Sequence, residues 1–344
     1  MIELKVLQRG DRIGITAPSD GNSKTTDFVR LEHGKMALEE RGYRVRETAS
    51  VRKSERGRSA DAITRAEEFM SLITDPDIRW IVAAKGGDFL LEMLPEVDFD
   101  LIRKNPKWIQ GYSDNTGILY PITTLCDIPT VYGCNFNDFG MVPWHSALTV
   151  NLEILEGKRQ EQKSFAFYEA EFPDRITGLE GYQVTEPVCL RSLQGEEEVS
   201  MSGRLLGGCM DVLLNLLGTP YDGTKGFNAR YSKEGVLWYL ETFALSAERL
   251  TMGLWQMRQA GWFERATGFL FGRPCFFRSD YGISFEEAVE NALGDLGLPI
   301  ITGADIGHRS PQMTMINGYP ATFQYAEGKG KLFYPKQEES QKEE

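Results

Sequence analysis

A serine at a predicted sharp turn is the residue of this chain best suited to chemistry. Residues 108–116 read Trp-Ile-Gln-Gly-Tyr-Ser-Asp-Asn-Thr, so an apolar run ends at Gly111 and Ser113 follows just before a predicted helix. Such a turn exposes the hydroxyl on one side and places helix N–H groups on the other, which is the layout of an activated nucleophile. Because Gly-x-Ser-x also occurs in ordinary turns, the motif alone is weak evidence and Ser113 needs partners.

Three histidines could supply the base that a serine nucleophile needs near neutral pH. His33 lies in a predicted amphipathic helix and His145 in a predicted loop after Trp144, so packing or solvent-exposed roles are favoured for both. His308 lies in the segment Asp-Ile-Gly-His-Arg-Ser, on a loop after an apolar strand, which suits a functional site. The sequence leaves a functional and a structural role for His308 equally open.

A carboxylate must orient a catalytic histidine, and Glu241 is the strongest candidate. It ends the apolar run at residues 236–240, which predicts a strand. A charge in that position needs a partner, because burying an unpaired carboxylate is costly. The alternatives are a salt bridge and a charge at a helix N-terminus, since Thr242 could cap a following helix.

Acyl transfer also needs N–H donors for the oxyanion that forms on the attacked carbonyl. The segment Lys-Gly-Gly-Asp at residues 85–88 follows a predicted strand and can bring its backbone near a substrate, and the N–H of Asp114 adjoins Ser113. Gly86 and Gly87 could instead cradle a phosphate. The absence of a full Gly-x-Gly-x-x-Gly or Gly-Lys-Ser/Thr motif weakens that alternative.

The elements that must position these residues alternate between strands and helices over residues 1–150. Predicted strands lie at residues 12–16, 43–47, 80–84, 108–111 and 129–132, and predicted helices at 28–41, 60–74 and 115–125. This alternation predicts an α/β domain with a parallel sheet and helices on both faces. Functional residues in such sheets gather beyond the carboxyl ends of the strands, where Ser113 and the Gly86-Gly87 turn both fall.

The second half of the chain divides into an insertion and a further domain. Residues 151–198 include Phe165, Phe167 and a long polar stretch, and we interpret them as a linker with an inserted loop. A second domain is predicted at residues 199–335, with strands at 236–240, 267–271 and 299–302 and helices at 210–217, 246–259 and 285–293. The charged tail at residues 336–344 is predicted to be disordered.

Composition limits the partners that the protein can have. The chain has 344 residues, 41% of them hydrophobic, which is enough for two packed domains. Lys plus Arg total 38 and Asp plus Glu total 50, and the formal charge of −12 disfavours a nucleic-acid polymer as partner. Five cysteines without Cys-x-x-Cys spacing favour neither a disulfide framework nor a metal site. With no signal peptide and no membrane-length apolar run, we expect a cytoplasmic protein that acts on a small molecule or peptide.

These segments occur together in a known pattern, and the chain resembles the LD-carboxypeptidase and microcin-immunity family of serine peptidases, the S66 peptidases. The resemblance covers about residues 5–335. The segments that carry it are residues 11–18, 81–87, 94–95, 106–107, 111–114, 203–208, 240–241 and 307–308. The order and spacing of so many segments make the match specific, which Gly-Tyr-Ser-Asp alone would not be.

By this resemblance Ser113 is the nucleophile, His308 the general base and acid, and Glu241 the residue that orients the histidine. The resemblance also implies a flavodoxin-like N-terminal domain and a smaller, β-rich C-terminal domain, with the triad assembled across the cleft between them. Family members are typically homodimers that need no metal or cofactor, and the same is expected here.

The resemblance places the oxyanion hole at the backbone N–H of Asp114 and that of Gly86 or Gly87. At two positions the chain departs from the family pattern. Lys85 stands where the family commonly has arginine, and Cys209 stands where it commonly has an asparagine that could contact substrate. Both residues are therefore candidate substrate contacts, and Cys209 leaves the substrate open.

The overall length resembles the microcin-immunity branch, which cleaves an amide joining an aminoacyl or peptidyl group to a nucleotide-like moiety. In that branch loop tryptophans stack on the base, whereas residues 155–200 here contain no tryptophan. Phe165 and Phe167 are candidate substitutes, although core packing is the favoured role for such aromatics. The alternative substrate is the L,D-peptide bond of a murein tetrapeptide, and the alternative class of function is a non-catalytic ligand-binding protein that uses the same cleft.

Overall fold

The computed structural model describes residues 1–335, which form two large sheets and the helices packed on them. The strands are β1 (Arg12–Thr16), β2 (Arg44–Glu47), β3 (Ile78–Ala83), β4 (Trp108–Gly111), β5 (Thr130–Tyr132), β6 (Glu161–Lys163), β7 (Phe167–Tyr168), β8 (Glu186–Pro187), β9 (Arg191–Ser192), β10 (Glu198–Cys209), β11 (Val236–Glu241), β12 (Ala266–Gly272), β13 (Ile300–Ala304), β14 (Met315–Asn317), β15 (Pro320–Ala326) and β16 (Lys329–Phe333).

The α-helices are α1 (Thr25–Glu40), α2 (Ala62–Thr74), α3 (Phe99–Lys104), α4 (Thr116–Cys126), α5 (Ser146–Leu155), α6 (Met210–Leu216), α7 (Thr224–Arg230), α8 (Ala247–Gln259) and α9 (Phe285–Leu293). Short 3-10 helices lie at Ala49–Arg52, Leu90–Glu96, Ser113–Asn115, Phe136–Gly140 and Gly294–Leu296. Among residues 1–335, no helix has both the length and the apolar character needed to cross a membrane.

The first sheet has the strand order β14-β5-β4-β3-β1-β2. Strands β1 to β5 are parallel, and β14 runs antiparallel to β5. Every residue of β4 and nearly every residue of β3 is buried, as expected for strands covered on both faces. Without β14 this is the order of a flavodoxin-like sheet, whose chain direction switches between β1 and β3. The loops after β1 and β3 therefore diverge at the carboxyl edge, beside the end of β4.

The second sheet has the order β6-β16-β15-β10-β11-β12-β13-β9. Its centre, β10 to β13, is parallel, and antiparallel strands flank it on both sides. Strand β11 is buried at every position, which places its last residue, Glu241, inside the protein. The buried apolar side chains of both sheets form one continuous cluster.

Strand β14 joins the two sheets. The chain leaves β13 in the second sheet, passes through the loop that contains His308, and enters β14 in the first sheet. Asn317, the last residue of β14, accepts hydrogen bonds from the Gly207 N–H at 3.1 Å and the Tyr239 hydroxyl at 2.7 Å, both in the second sheet. The His308 loop is thus anchored in one sheet at its start and in the other at its end.

The predicted fold class, a parallel α/β sheet with a second, β-rich domain, is confirmed. The domain limits at residues 150 and 198 stay predictions. The first falls inside α5, and within the predicted insertion β6 and β9 pair with the second sheet while β7 and β8 form a separate ribbon. The predicted disordered tail, residues 336–344, lies outside the described residues.

Candidate active site

Ser113 occupies the sharp turn between β4 and α4, with a φ of +66°. This left-handed conformation is uncommon for a residue with a side chain, and surrounding contacts must hold it. Glycine is needed at position 111, because a Cβ there would lie 2.8 Å from the Cβ of Asn115. The turn also passes close to Gly86, where a Cβ would lie 3.0 Å from that of Ser113. This is the geometry of a nucleophile elbow, which presents a serine hydroxyl at the top of a parallel sheet.

The Asp114 side chain fastens the turn to the neighbouring loops. Its buried carboxylate accepts hydrogen bonds from the Ser19 hydroxyl at 2.5 Å and from the Leu90 N–H at 2.8 Å. Burial raises the pKa of the Asp114 carboxyl, and these two hydrogen bonds offset only part of that effect. The strained Ser113 backbone is therefore held by the segments that follow β1 and β3.

Asn115 adds a second attachment. Its Nδ2 donates to the carbonyl oxygens of Tyr112 at 3.0 Å and Lys85 at 3.2 Å, and it lies 3.2 Å from Oδ1 of Asn135. Asn135 Oδ1 also accepts the N–H of Tyr112 at 3.1 Å. The peptide that leads into Gly86 is thus tied to the Ser113 turn.

His308 bridges Ser113 and Glu241. Its Nε2 lies 2.8 Å from Ser113 Oγ, and its Nδ1 lies 2.9 Å from Glu241 Oε2. Because an ionised carboxylate only accepts hydrogen bonds, Nδ1 carries the proton and Nε2 is left to accept the serine hydroxyl. The arrangement is that of a nucleophile, a base and a carboxylate that orients the base.

Glu241 is fully buried at the end of β11. Its Oε2 accepts from His308, and its Oε1 accepts from the Tyr132 hydroxyl at 2.6 Å. Burial acts to raise the pKa of this carboxyl. The charge of His308 and the hydrogen bonds from His308 and Tyr132 outweigh it, so the pKa lies below its ordinary value. Glu241 is therefore an anion at neutral pH, the state that stabilises a protonated histidine.

Two glycines make room for this carboxylate. Gly307 has a φ of +91°, and a Cβ there would lie 2.5 Å from Glu241 Oε2. At Gly272, the last residue of β12, a Cβ would lie 3.0 Å from the Glu241 Cβ. A side chain at either position would displace Glu241 or the loop that carries His308.

A buried ion pair supports the His308 loop. Asp305 is fully buried and lies 2.8 Å from Arg273, which also donates to the carbonyl oxygen of Arg309 at 3.1 Å. The Arg273 guanidinium in turn lies 4.3 Å from the ring centre of Tyr168. Burial raises the pKa of the Asp305 carboxyl, and the charge of Arg273 opposes the rise. The pair fixes residues on both sides of His308.

Two of the predicted substrate contacts have protein partners. The Lys85 ammonium lies 3.1 Å from the Asp20 carboxylate. Cys209 is buried, and its Sγ lies 3.6 Å from Asp211 Oδ2. Burial, together with the charges of Glu241 and Asp211, raises the pKa of the Cys209 thiol, so it stays protonated. Cys209 is thus a protonated thiol that donates to Asp211, and not a reactive thiolate.

The two predicted loop aromatics differ in their surroundings. The Phe165 ring lies 5.5 Å from the His145 ring and packs on the hydrophobic core. Its N–H donates to Asp305 Oδ2 at 3.0 Å. Phe167 is 49% exposed on the ribbon of β7 and β8, so it is free to contact another molecule, whereas Phe165 is engaged in packing.

Three other phenylalanines form a row that begins at the histidine ring. The Phe243 ring centre is 4.6 Å from that of His308, Phe276 lies 5.1 Å from Phe243 in an edge-to-face contact, and Phe172 stacks on Phe276 at 5.5 Å. Their exposures of 36% for Phe243, 53% for Phe276 and 49% for Phe172 leave apolar ring surface open beside the site. We call these three residues the aromatic cluster.

Sequence reasoning missed the aromatic cluster and Tyr132. The cluster comes from three distant segments, and no local pattern relates them. Tyr132 ends a short apolar strand, where a tyrosine resembles any core residue. One signal was available, since Phe243 follows Glu241 by two residues in the segment after β11.

Three cations near the site have partners within the protein. Arg309 donates from Nη2 to the carbonyl oxygen of Cys275 at 3.0 Å, and its guanidinium lies 5.1 Å from the ring centre of Phe172. Lys85 pairs with Asp20, and Arg273 pairs with Asp305. Within residues 1–335, no group of three or more His, Cys, Asp or Glu side chains is placed to hold a metal ion.

Comparisons with known proteins agree with this architecture. The model of the LD-carboxypeptidase N-terminal domain matches residues 13–133, and that of the C-terminal domain matches residues 202–323. The chain is 27% identical over 339 residues to a Vibrio cholerae protein named for carboxypeptidase activity, with 94% of this chain and 96% of the relative covered. It is 25% identical over 329 residues to the Bacillus subtilis protein named "Probable murein peptide carboxypeptidase", covering 94% and 92%.

Among solved structures, the microcin C7 self-immunity protein MccF in complex with aspartyl sulfamoyl adenosine has a similar fold. The TM-score is 0.79 at 22% sequence identity, over 97% of this chain and 99% of that chain. At this level of identity the likeness establishes the two-domain fold.

Proposed function

The chain belongs to the LD-carboxypeptidase family of serine peptidases, and on that premise we propose that Ser113, His308 and Glu241 form its catalytic triad. The observation that carries the proposal is the pair of hydrogen bonds on His308, 2.8 Å to Ser113 Oγ and 2.9 Å to Glu241 Oε2. A base at that distance can take the serine proton as the hydroxyl attacks. The carboxylate on the far side of the ring holds the tautomer that this transfer requires.

The reaction follows from these roles. Ser113 Oγ attacks the carbonyl carbon of an amide while His308 Nε2 takes its proton. The protonated His308 then gives that proton to the leaving amine as the C–N bond breaks, which leaves an acyl-serine. Water attacks the ester with His308 again as base, and the carboxylic acid is released as Ser113 regains its proton.

The oxyanion of each tetrahedral intermediate needs two N–H donors in this proposal. The N–H of Asp114 lies in the first turn of a 3-10 helix, where main-chain donors have no partner within the helix. Gly86 is the favoured second donor because it approaches Ser113 directly. At Gly87 a Cβ would instead lie 2.2 Å from Ser19 Oγ, so this residue faces the loop after β1.

For the substrate, the aromatic cluster favours an aminoacyl or peptidyl conjugate that carries a flat ring, such as a nucleotide. Exposed phenylalanine faces beside the base offer stacking surface to such a ring. MccF, which has a similar fold, is named as a complex with aspartyl sulfamoyl adenosine. A terminal carboxylate of a murein peptide would need a free cation, whereas Lys85 and Arg273 are already paired with carboxylates.

Hydrolysis of the murein tetrapeptide is the alternative substrate, supported by the name of the Bacillus subtilis relative. A non-catalytic binding protein is the alternative class. The strained serine and the buried, charged Glu241 argue against it, since both are costly features that ligand binding alone does not need.

The discriminating experiment offers both substrates to the purified protein. We expect mass spectrometry to detect cleavage of the aminoacyl bond of an aspartyl sulfamoyl adenosine, and slower or no loss of the terminal residue from murein tetrapeptide. Ser113→Ala should lower the rate by about a thousandfold or more. Ser71→Ala, at an exposed serine on α2, is the matched control and should leave it unchanged.

The possible outcomes separate the alternatives. Cleavage of the tetrapeptide alone would replace the substrate assignment but keep the triad. Binding of either molecule without turnover would support the non-catalytic class. Full activity in a folded Ser113→Ala variant would contradict the triad itself.

The same proposal includes a cytoplasmic location and a homodimer. Reduced thiols support the location, because the five cysteines are all unpaired and four of them are buried. Light scattering coupled to size-exclusion chromatography would measure the oligomeric state, and a monomer mass at assay concentration would contradict the homodimer.

A further inference from the structure

Tyr132 lies between the nucleophile and the triad carboxylate. It is the last residue of β5, in the first sheet, and it is fully buried. Its hydroxyl donates to Glu241 Oε1 at 2.6 Å and accepts the N–H of Ser113 at 3.2 Å. One phenol group therefore connects the strained serine backbone of the first sheet to the buried carboxylate of the second.

Each of these contacts meets a specific need. Glu241 is fully buried, and only its Oε2 is used by His308, so Oε1 needs a donor that fixes the rotation of the carboxylate. The Ser113 N–H belongs to a residue with positive φ, and its acceptor helps to hold that conformation. The N–H of Ser113 is also occupied, which leaves the oxyanion to the donors of Asp114 and Gly86.

The hydroxyl is suited to act as a permanent donor. Burial, followed by the charge of Glu241, raises the pKa of Tyr132 well above its ordinary value, so the hydroxyl keeps its proton throughout the working pH range. The ring is held by Tyr112 at 6.4 Å and Tyr239 at 5.7 Å between ring centres. Removing only the hydroxyl would therefore leave the packing in place.

We propose that Tyr132 is a positioning residue, which couples the Ser113 turn to Glu241 across the two sheets and so sets the orientation of His308. The inference rests on the proposed triad. Tyr132 does not touch the reacting atoms, and it acts through the rotation of the Glu241 carboxylate and the backbone of Ser113.

The test measures covalent labelling of Ser113 by a fluorophosphonate, which needs no knowledge of the substrate. In Tyr132→Phe, the limiting rate kinact should fall by about tenfold to a hundredfold, as expected for loss of a hydrogen bond to a charged group. The concentration for half-maximal rate, KI, should stay within about twofold. If Tyr132 had only a structural role, its substitution would lower the stability of the folded protein without lowering kinact while KI stays the same.

Tyr43→Phe is the matched control. Tyr43 is also buried, and its hydroxyl donates to the carboxylate of Glu156 at 2.7 Å rather than to the triad. Its kinact should be unchanged. Equal losses of kinact in both variants would overturn the inference, because they would reflect the general loss of a buried hydroxyl.

A double-mutant cycle tests the route of the effect. If Tyr132 acts through Glu241, Tyr132→Phe should lower kinact much less in a Glu241→Gln background than in the wild type. Should Tyr132→Phe fail to fold, 3-fluorotyrosine at position 132 keeps the ring and makes the hydroxyl a stronger donor. Its stronger bond should hold the Glu241 carboxylate at least as firmly, so kinact should not fall, and a tenfold loss of kinact would overturn the inference.

Failure of the triad and failure of this inference give different results. Equal labelling of the wild type and Ser113→Ala would mean that the triad proposal is wrong. Labelling of the wild type at Ser113, with the same kinact in Tyr132→Phe, would leave the triad standing and remove only the role of Tyr132.

Discussion

Glu241 combines complete burial with a negative charge, and the surrounding residues make that combination stable. A carboxylate removed from water is tolerated only when its oxygens are hydrogen-bonded and a positive or polar partner is close. Here Oε2 faces His308 and Oε1 faces Tyr132, while Gly307 and Gly272 leave the space that the side chain fills. The surrounding residues therefore stabilise Glu241 in its charged form. The contribution of this charge should be measurable through the stability of the protein.

Glu241→Gln tests this charge through its pH dependence. The pKa of Glu241 in the folded protein lies below its ordinary value of 4.5, so its charge stabilises the fold above that pH and ceases to do so as pH falls through the folded pKa. The Tm advantage of the wild type over Glu241→Gln should thus be present above about pH 4.5 and shrink below that pH. Thermal unfolding followed by circular dichroism from about pH 3 to 8 measures this difference.

The control for this series is Glu67→Gln, at an exposed position on α2. Its Tm should follow that of the wild type across the whole range. A wild-type advantage that does not shrink as the pH falls from about 4.5 to 3 would contradict a lowered pKa for Glu241, because a carboxylate with a lowered pKa loses its stabilising effect on protonation.

The helices and strands differ in how far their limits can be predicted from the local amino-acid sequence. The strands Arg12–Thr16 and Trp108–Gly111 and the helix Phe285–Leu293 have the limits predicted from sequence, because apolar runs or helical periodicity end there at turn and capping residues. Residues 198–209 form one long strand, and its glycines are explained only by a neighbour, since a Cβ at Gly207 would lie 1.7 Å from the Tyr239 carbonyl oxygen.

The candidate site likewise contains residues that the local sequence predicts and residues that depend on packing. The positions of Ser113, Glu241 and His308 could be predicted because each follows an apolar strand, and the structure places them within hydrogen-bond distance. Their catalytic roles stay predictions. Tyr132 and the aromatic cluster could not be found this way, because their relation to His308 depends on how the two sheets pack and not on spacing along the chain.

The β13–β14 loop depends on a buried ion pair, and its loss should be costly. Arg273→Ala leaves the fully buried Asp305 without its cation, so the free energy of unfolding should fall by about 3–5 kcal/mol. Activity should fall as well, since the pair supports the loop that carries His308. Urea denaturation gives the change in unfolding free energy, and the substrate assay gives the activity.

The matched control is a surface pair of the same kind. Arg258 and Asp295 lie 2.7 Å apart but are 33% and 69% exposed, so Arg258→Ala should cost no more than about 1 kcal/mol. Equal losses of unfolding free energy in the two variants would show that burial does not make the Arg273–Asp305 pair more important for stability than an exposed pair. Arg273→Ala with Asp305→Asn should recover part of the stability.

In the whole molecule, the proposed triad is divided between the two sheets. Ser113 follows β4 of the first sheet, Glu241 ends β11 of the second, and His308 lies on the loop that passes from one to the other. The continuous core and the strand β14 hold the sheets together. The Ser113–His308–Glu241 contacts therefore exist only when both sheets are folded and docked, so nucleophilicity of Ser113 reports on the whole architecture.

Labelling with a fluorophosphonate, mapped by peptide mass spectrometry, would show whether His308 activates Ser113. We expect one adduct, on Ser113, that is absent from Ser113→Ala and formed at least about a hundredfold more slowly in His308→Ala. Unfolding the protein in urea before labelling should abolish the adduct. No adduct on the folded wild type, an adduct on another serine, or an undiminished rate in His308→Ala would contradict the claim that His308 activates Ser113.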